Sequence, residues 1–451
     1  MKIKNLPAKT GIVTLASLLT ACGGGSGGGS SSPPPPPSYT VGGTVSGLDS
    51  ASISLTDGVD SITISPNSTT FSFPTTFASG KAYTVNIVHQ PFGFTNACSL
   101  SNATGTVASV NVSNVSLVCR PAAAVVTTYA GSGQLGTVNG TLSTARFYNP
   151  VSLAIDASGD MYVGDGDSYF GDVNTLIRKI TATGVVSNFV GSGVMGNANG
   201  TGAGSSFGSP AAIVIDGSGN LFVADSSNNL IRKVTPAGVV STFAGSGAAG
   251  NADGTGTAAS FYGPTGIAID PSGNFYVSDT FNGLIRKITP DGVVSTFSGG
   301  GKSQNGTGTA VTFSYITSVA TDASGNVYAA DTQNDLILKI TPEGIATTLA
   351  GSGYSGNSKD GTGTSASFFY PTGLSVDGAG NVYVADGSSE IRKITAAGVV
   401  TTIAGNGAQT YVNGIGTQAT FCRPAKAIAD AFGNVFVADT CNNVIREISP
   451  Q

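Results

Sequence analysis

Residues 261–299 read FYGPTGIAIDPSGNFYVSDTFNGLIRKITPDGVVSTFSG. Four short apolar runs, rich in Val, Ile, Tyr and Phe, are separated by Gly, Asp, Asn and Pro. β-Branched and aromatic side chains suit a pleated surface, and the separating residues satisfy turn dihedrals, so the stretch reads as strands joined by turns. The first turn runs from Asp270 to Asn274, with Gly at the φ > 0 position and an Asp that can bond the backbone ahead of it. The third, Asp291-Gly292, is a tight hairpin signal.

The same text recurs along the chain. The Ile that opens the IRKI signature stands at Ile177, Ile231, Ile285, Ile337, Ile391 and Ile445, with spacings of 54, 54, 52, 54 and 54. Six units of four antiparallel strands describe an all-β fold, a six-bladed β-propeller with four-stranded blades. The last unit lacks its fourth run, whereas AVVTTYAG (124–131) matches GVVTTIAG (398–405) and has no unit before it. Residues 125–130 are therefore expected to form the outer strand of the last blade, beside 441–449. That pairing closes the ring and covers strand edges.

The pattern common to 211–234, 266–288 and 373–394, GIAIDxSGNxYVADxxNNxIRKI, resembles the NHL-repeat family of six-bladed propellers. The resemblance extends over 125–451. It implies the fold and leaves the function open, because such folds carry many functions. The chain departs from the family at its Asn-His pair: the His is missing, and Asn229, Gly283 and Asn443 stand near that place.

The N-terminus reads as a targeting segment. Lys2, Lys4 and Lys9 precede a short apolar run, GIVTLASLLT (11–20), and then LTAC (19–22). LTAC resembles the bacterial lipobox, which implies acylation (palmitate among the chains) at Cys22. GGGSGGGSSSPPPPPS (23–38) combines a flexible and a stiff tether. Gly23, not Asp, follows Cys22, which favours the outer membrane or the surface over the inner membrane. Residues 39–120 alternate apolar and polar residues between Gly, Asn and Ser turns, as expected of a small β-sandwich of about seven strands. QPFGFTNACSLSNATGTV (90–107) resembles the Cys-paired β module found ahead of repeat domains in bacterial lipoproteins. The expected organisation is a signal peptide (1–21), lipidated Cys and tether (22–38), sandwich (39–120) and propeller (121–451).

Five cysteines less Cys22 leave four. Cys98 with Cys119, and Cys422 with Cys441, read as two disulfides of an exported protein. A four-Cys zinc site would instead need both pairs to converge from separate domains without Cys-x-x-Cys spacing.

Two acidic slots recur. One is the turn Asp: Asp156, Asp216, Asp270, Asp322, Asp377 and Asp430. The other ends the second strand: Asp165, Asp225, Asp279, Asp331, Asp386 and Asp439. A residue needed in every blade is most simply needed to build blades; the functional alternative is a carboxylate ring holding Ca²⁺. Arg178, Arg232, Arg286, Arg392 and Arg446 share a third-strand slot that holds Leu338 in the fourth unit. Each Arg is expected to pair with an Asp of the second slot, and the fourth blade is expected to lack the pair.

One unit breaks the period. Ile177 follows Asp165 by 12 residues, where the same step is six in the second, third, fourth and last units. The extra text carries Asp167, Tyr169, Phe170 and Asp172, a candidate ligand-binding loop or a drifted insertion. The single His, His89, lies outside the propeller, which argues against His-based zinc or triad chemistry there. A net charge of −5, with half the 20 basic residues in third-strand slots, argues against nucleic acid. The sequence thus points to a monomeric, membrane-anchored, non-catalytic scaffold for a protein or glycan at the cell envelope. A Ca²⁺-type carboxylate lyase or hydrolase on the propeller face is the alternative.

Overall fold

The computed structural model describes residues 36–48, 52–89, 91, 94, 96–166, 175–302, 305–353 and 356–451. Among them six five-stranded sheets stand in a ring. In the third blade the order from the axis outward is Pro264–Ile269, Phe275–Asp279, Leu284–Ile288 and Val293–Gly299, with Gly254–Thr255 outermost. All neighbours are antiparallel. The fifth strand was not expected. It is two residues long and comes from the long loop that leads into its own blade, so the loop seals the exposed edge of the outer strand.

The innermost strands of successive blades pack side by side, and Pro150–Ile155 of the first meets Pro424–Ala429 of the last. Ala124–Ala130 pairs with Val444–Pro450, with Val126 opposite Ile448. The ring is thus closed by the strand expected to close it. Second-strand side chains alternate between the two neighbouring blades, as alternation along a strand requires. Ala224 and Phe222 enter the core shared with the third blade, while Leu221 and Val223 enter the one shared with the first.

Val41–Ser46, Thr70–Ser72, Asn96–Ser101 and Val112–Pro121 form one sheet of the N-terminal module, and Ile53–Thr56, Ser61–Ile64 and Asn86–His89 form another. Val41, Leu55, Phe73 and Leu117 lie in their common core. The strands are more numerous and shorter than the seven expected, and Val112–Pro121 runs parallel to Val41–Ser46. The module meets the propeller through Phe94 on Tyr383 (ring centroids 6.5 Å apart) and His89 on Phe432 (6.0 Å). Both contacts sit on the face that carries the Asp-x-x-Gly-Asn turns. The opposite face carries the loops after the second strand and the loops between blades. No helix among the described residues is long and apolar enough to cross a membrane.

Candidate functional site

The recurrent acids resolve into two structural devices. In the turn slot, Asp216 Oδ1 accepts from the backbone N–H groups of Ser218 and Asn220, and Asp156, Asp270, Asp322, Asp377 and Asp430 do the same in their blades. In the second slot all six carboxylates are fully buried. One oxygen of each accepts the backbone N–H of the residue two before the innermost strand or its equivalent: Tyr148, Gly208, Tyr262, Ser314, Phe369 and Cys422. These bonds tie the incoming loop to the end of the second strand.

The other oxygen takes the arginine. Arg178–Asp165, Arg232–Asp225, Arg286–Asp279, Arg392–Asp386 and Arg446–Asp439 lie 2.9–3.2 Å apart. Each guanidinium also donates to a loop carbonyl and lies over a Phe ring, as Arg232 lies over Phe207 at 5.4 Å. The second Nη reaches a side-chain oxygen of the inter-blade loop: Asn139, Asn199, Asp253, Asp360 or Asn413. Those Gly-rich loops are therefore anchored from below.

In the fourth blade Leu338 is buried where the arginine would be. Burial pushes the Asp331 carboxyl up to about 6, with Asn334 and the Ser314 N–H opposing it. Burial likewise pushes up the carboxyls of Asp225, Asp279, Asp386 and Asp439, against hydrogen bonds and the arginine charge. No three metal-ligating side chains converge among the described residues, and the six Ca²⁺ candidates stand one per blade with protein donors on them. Both disulfides, Cys98–Cys119 and Cys422–Cys441, are formed. Asp167, Tyr169, Phe170 and Asp172 lie outside the described residues, as does Cys22.

The channel along the propeller axis is apolar, lined by residues such as Ile213, Ile267, Leu374 and Ile428. Lys426 is the one basic side chain on its wall among the described residues; its Nζ donates to the Leu374 carbonyl, and burial pushes its pKa down to about 8. At the loop-face mouth, threonine hydroxyls link successive blades. Thr265 donates to the carbonyl of Thr317, Thr317 to that of Thr372, and Thr372 to that of Pro424. Thr440 carries the chain to Pro150.

Above this mouth lies a feature that sequence reasoning missed. Tyr262 and Phe281, about half exposed, hold their rings 4.9 Å apart, and Phe281 lies 5.6 Å from Tyr315. Phe369 and Tyr370 follow at 5.0 Å on the next blade. Tyr315, Phe369 and Tyr370 line a cavity of about 440 Å³ together with Gln409 and the exposed Arg423. The arc crosses blades three to six. Its members are spread over three slots of the repeat, each aromatic in only some of the blades, so no slot stands out as an aromatic one when the units are aligned. The signal available was their place: all flank the entry to an innermost strand or the turn after a second strand.

Residues 261–288 match the model of the NHL repeat. That match lies in the third blade and covers its first three strands. No curated protein matches the chain. Among solved structures, the chain resembles a structural genomics protein of unknown function from Bacteroides thetaiotaomicron. The TM-score is 0.59 and the identity 17%, over 93% of this chain and 99% of that one. It also resembles an auxiliary nutrient binding protein from Bacteroides ovatus (TM-score 0.56, 16% identity, 89% and 91% covered). A second auxiliary nutrient binding protein, from Bacteroides thetaiotaomicron, gives a TM-score of 0.57 at 15% identity over 88% and 90%. These likenesses concern the fold, which extends over both the module and the ring.

Proposed function

We propose that this NHL propeller is an exported, lipid-anchored binding module that holds a protein or glycan ligand at the cell envelope on its loop face. The aromatic arc from Tyr262 to Tyr370 carries the reading. Partly exposed aromatic rings grouped around a cavity are the usual chemistry of a recognition surface, because each offers a large contact area at little rotamer cost. The N-terminal module sits on the opposite face, which leaves the arc open to solvent. Two disulfides suit an oxidising compartment, and the lipobox-like LTAC would supply the anchor at Cys22. The propeller holds no His, and its recurrent acids are committed to turns and ion pairs, so we read it as non-catalytic. The nutrient-binding function stated for two structures of like fold is consistent with this.

The test uses soluble 39–451 as bait on envelope extract and on immobilised polysaccharides, beside a Phe281→Ala/Tyr370→Ala variant. A partner retained by the wild type and lost by the variant supports the reading. Equal retention by both would remove the site from the arc, and no partner for either would overturn the scaffold.

A further inference from the structure

One backbone slot at the mouth deepens that reading and rests on it. The residue just before each innermost strand, or its counterpart before Pro371 in the fifth blade, is Asn149, Ser209, Gly263, Tyr315, Tyr370 and Arg423 in blade order. Five of the six are left-handed: Asn149 (φ 55°), Gly263 (60°), Tyr315 (62°), Tyr370 (49°) and Arg423 (51°). Glycine fills such a position without strain and asparagine with little. A bulky side chain there is an outlier, and outliers of this kind concentrate at ligand-binding sites. The third blade shows that the fold itself asks only for glycine.

The same blade shows what the side chains are for. A Cβ at Gly263 would lie 2.3 Å from the Phe281 ring, so Phe281 already occupies the space a side chain of the slot would enter. Blades four and five have Gln333 and Ser388 where Phe281 stands, and there the slot itself supplies the ring, Tyr315 or Tyr370. Three adjacent blades thus place an aromatic ring at the mouth by two different routes. The sixth places the Arg423 guanidinium there, on the wall of the same cavity as Tyr315 and Tyr370.

We propose that Tyr315, Tyr370 and Arg423, with Phe281, form the binding site for an acidic oligosaccharide. Sugar rings lie on Phe281, Tyr315 and Tyr370, and a uronate carboxylate reaches Arg423. Phe281 and Tyr315 lie 5.6 Å apart across neighbouring blades, Phe369 and Tyr370 lie 5.0 Å apart within the fifth, and Tyr315 and Tyr370 line one cavity, so the rings offer a surface for a chain of flat, C–H-lined units. Threonine hydroxyls and Gln409 supply hydrogen-bonding groups at its floor and rim. A guanidinium fork suits a carboxylate.

The experiment is affinity electrophoresis of 39–451 through gels holding uronate polymers (polygalacturonate, alginate, hyaluronan, glucuronoxylan) or neutral ones (galactan, xylan, dextran). Tyr315→Gly, Tyr370→Gly and Arg423→Gly are run beside the wild type, with thermal melts of each. The expected result is retardation by at least one uronate polymer. Tyr370→Gly and Tyr315→Gly should weaken it tenfold or more, and Arg423→Gly should remove the preference for the acidic form. All three should melt no lower than the wild type, which a merely structural role would not give. Equal retardation by neutral polymers overturns the acidic assignment while leaving a glycan scaffold. No retardation by any uronate polymer overturns the proposal; an envelope protein captured by the wild type and lost from the Gly variants would then keep the binding module. No partner of either kind would overturn both.

Discussion

Arg286 lies 3.1 Å from Asp279 with both side chains fully buried, and four other blades repeat the pair at the same two slots. The fourth blade does without it by carrying Leu338. The chain thus contains its own control for what the arginine contributes.

Removing one partner of a buried pair leaves an uncompensated charge, so Arg232→Ala should cost about 3–5 kcal/mol. Arg232→Leu copies the fourth blade and fills the volume; it should cost about half as much, since Asp225 keeps Asn228 and two backbone N–H groups. Urea unfolding of both variants at pH 7 checks this, and equal losses would mean that packing contributes nothing at this site.

Asp331 should make stability fall with pH. Its carboxyl is pushed up to about 6 from an ordinary value of 3.8, so between those values the folded protein holds a proton that the unfolded chain releases. The stabilisation is present below about pH 4 and is lost as pH rises through about 6, a swing of about 2–3 kcal/mol. Leu338→Arg should flatten this part of the curve by favouring the charged carboxylate. Unfolding free energies of both proteins between pH 4 and 7 give the comparison; parallel curves would refute it.

Lys426 has the opposite sense. Burial pushes it down to about 8 from 10.5, so between these values the unfolded chain binds the proton and stability rises with pH. At pH 7 its charge destabilises the ring. Lys426→Met should raise stability there by about 1–2 kcal/mol, after discounting for channel water, and lose the advantage above about pH 10. A variant less stable at pH 7 would show that the Nζ–Leu374 hydrogen bond outweighs desolvation.

Cys422 and Cys441 occupy the slots in which Tyr262 and Phe281 stack in the third blade and in which Ser314 Oγ donates to Gln333 in the fourth. Replacing both cysteines by serine should cost about 2–4 kcal/mol, the range for a short closed loop. Thermal melts with and without reductant test it: the double variant should melt lower than the oxidised wild type, and reductant should lower the wild type by more than the variant, which keeps only Cys98–Cys119.

The ring, its closure, the Arg–Asp pairs and the exception at Leu338 were legible because each rests on a residue recurring at one slot. Repetition makes a structural role visible and hides a functional one. Tyr262, Phe281, Tyr315 and Tyr370 come together only when blades are set side by side in space. The fifth strands escaped notice because two residues, such as Gly254–Thr255, are too short to show alternation. The place of Lys426 on the channel wall was not legible, because nothing in the repeat marks which innermost residues face the axis. The four candidate residues of the 167–172 insertion lie outside the described residues and add nothing to either side.

The pairing of Ala124–Ala130 with Val444–Pro450 also sets an order of events. About 320 residues separate the partners, so closure is the most distant contact in the ring and the slowest to find. As the chain emerges from its N-terminus, five blades can assemble from neighbours in sequence, while the first propeller strand waits for the last. Until then an open arc of blades displays two bare edges, each complementary to the other and to those of any second copy.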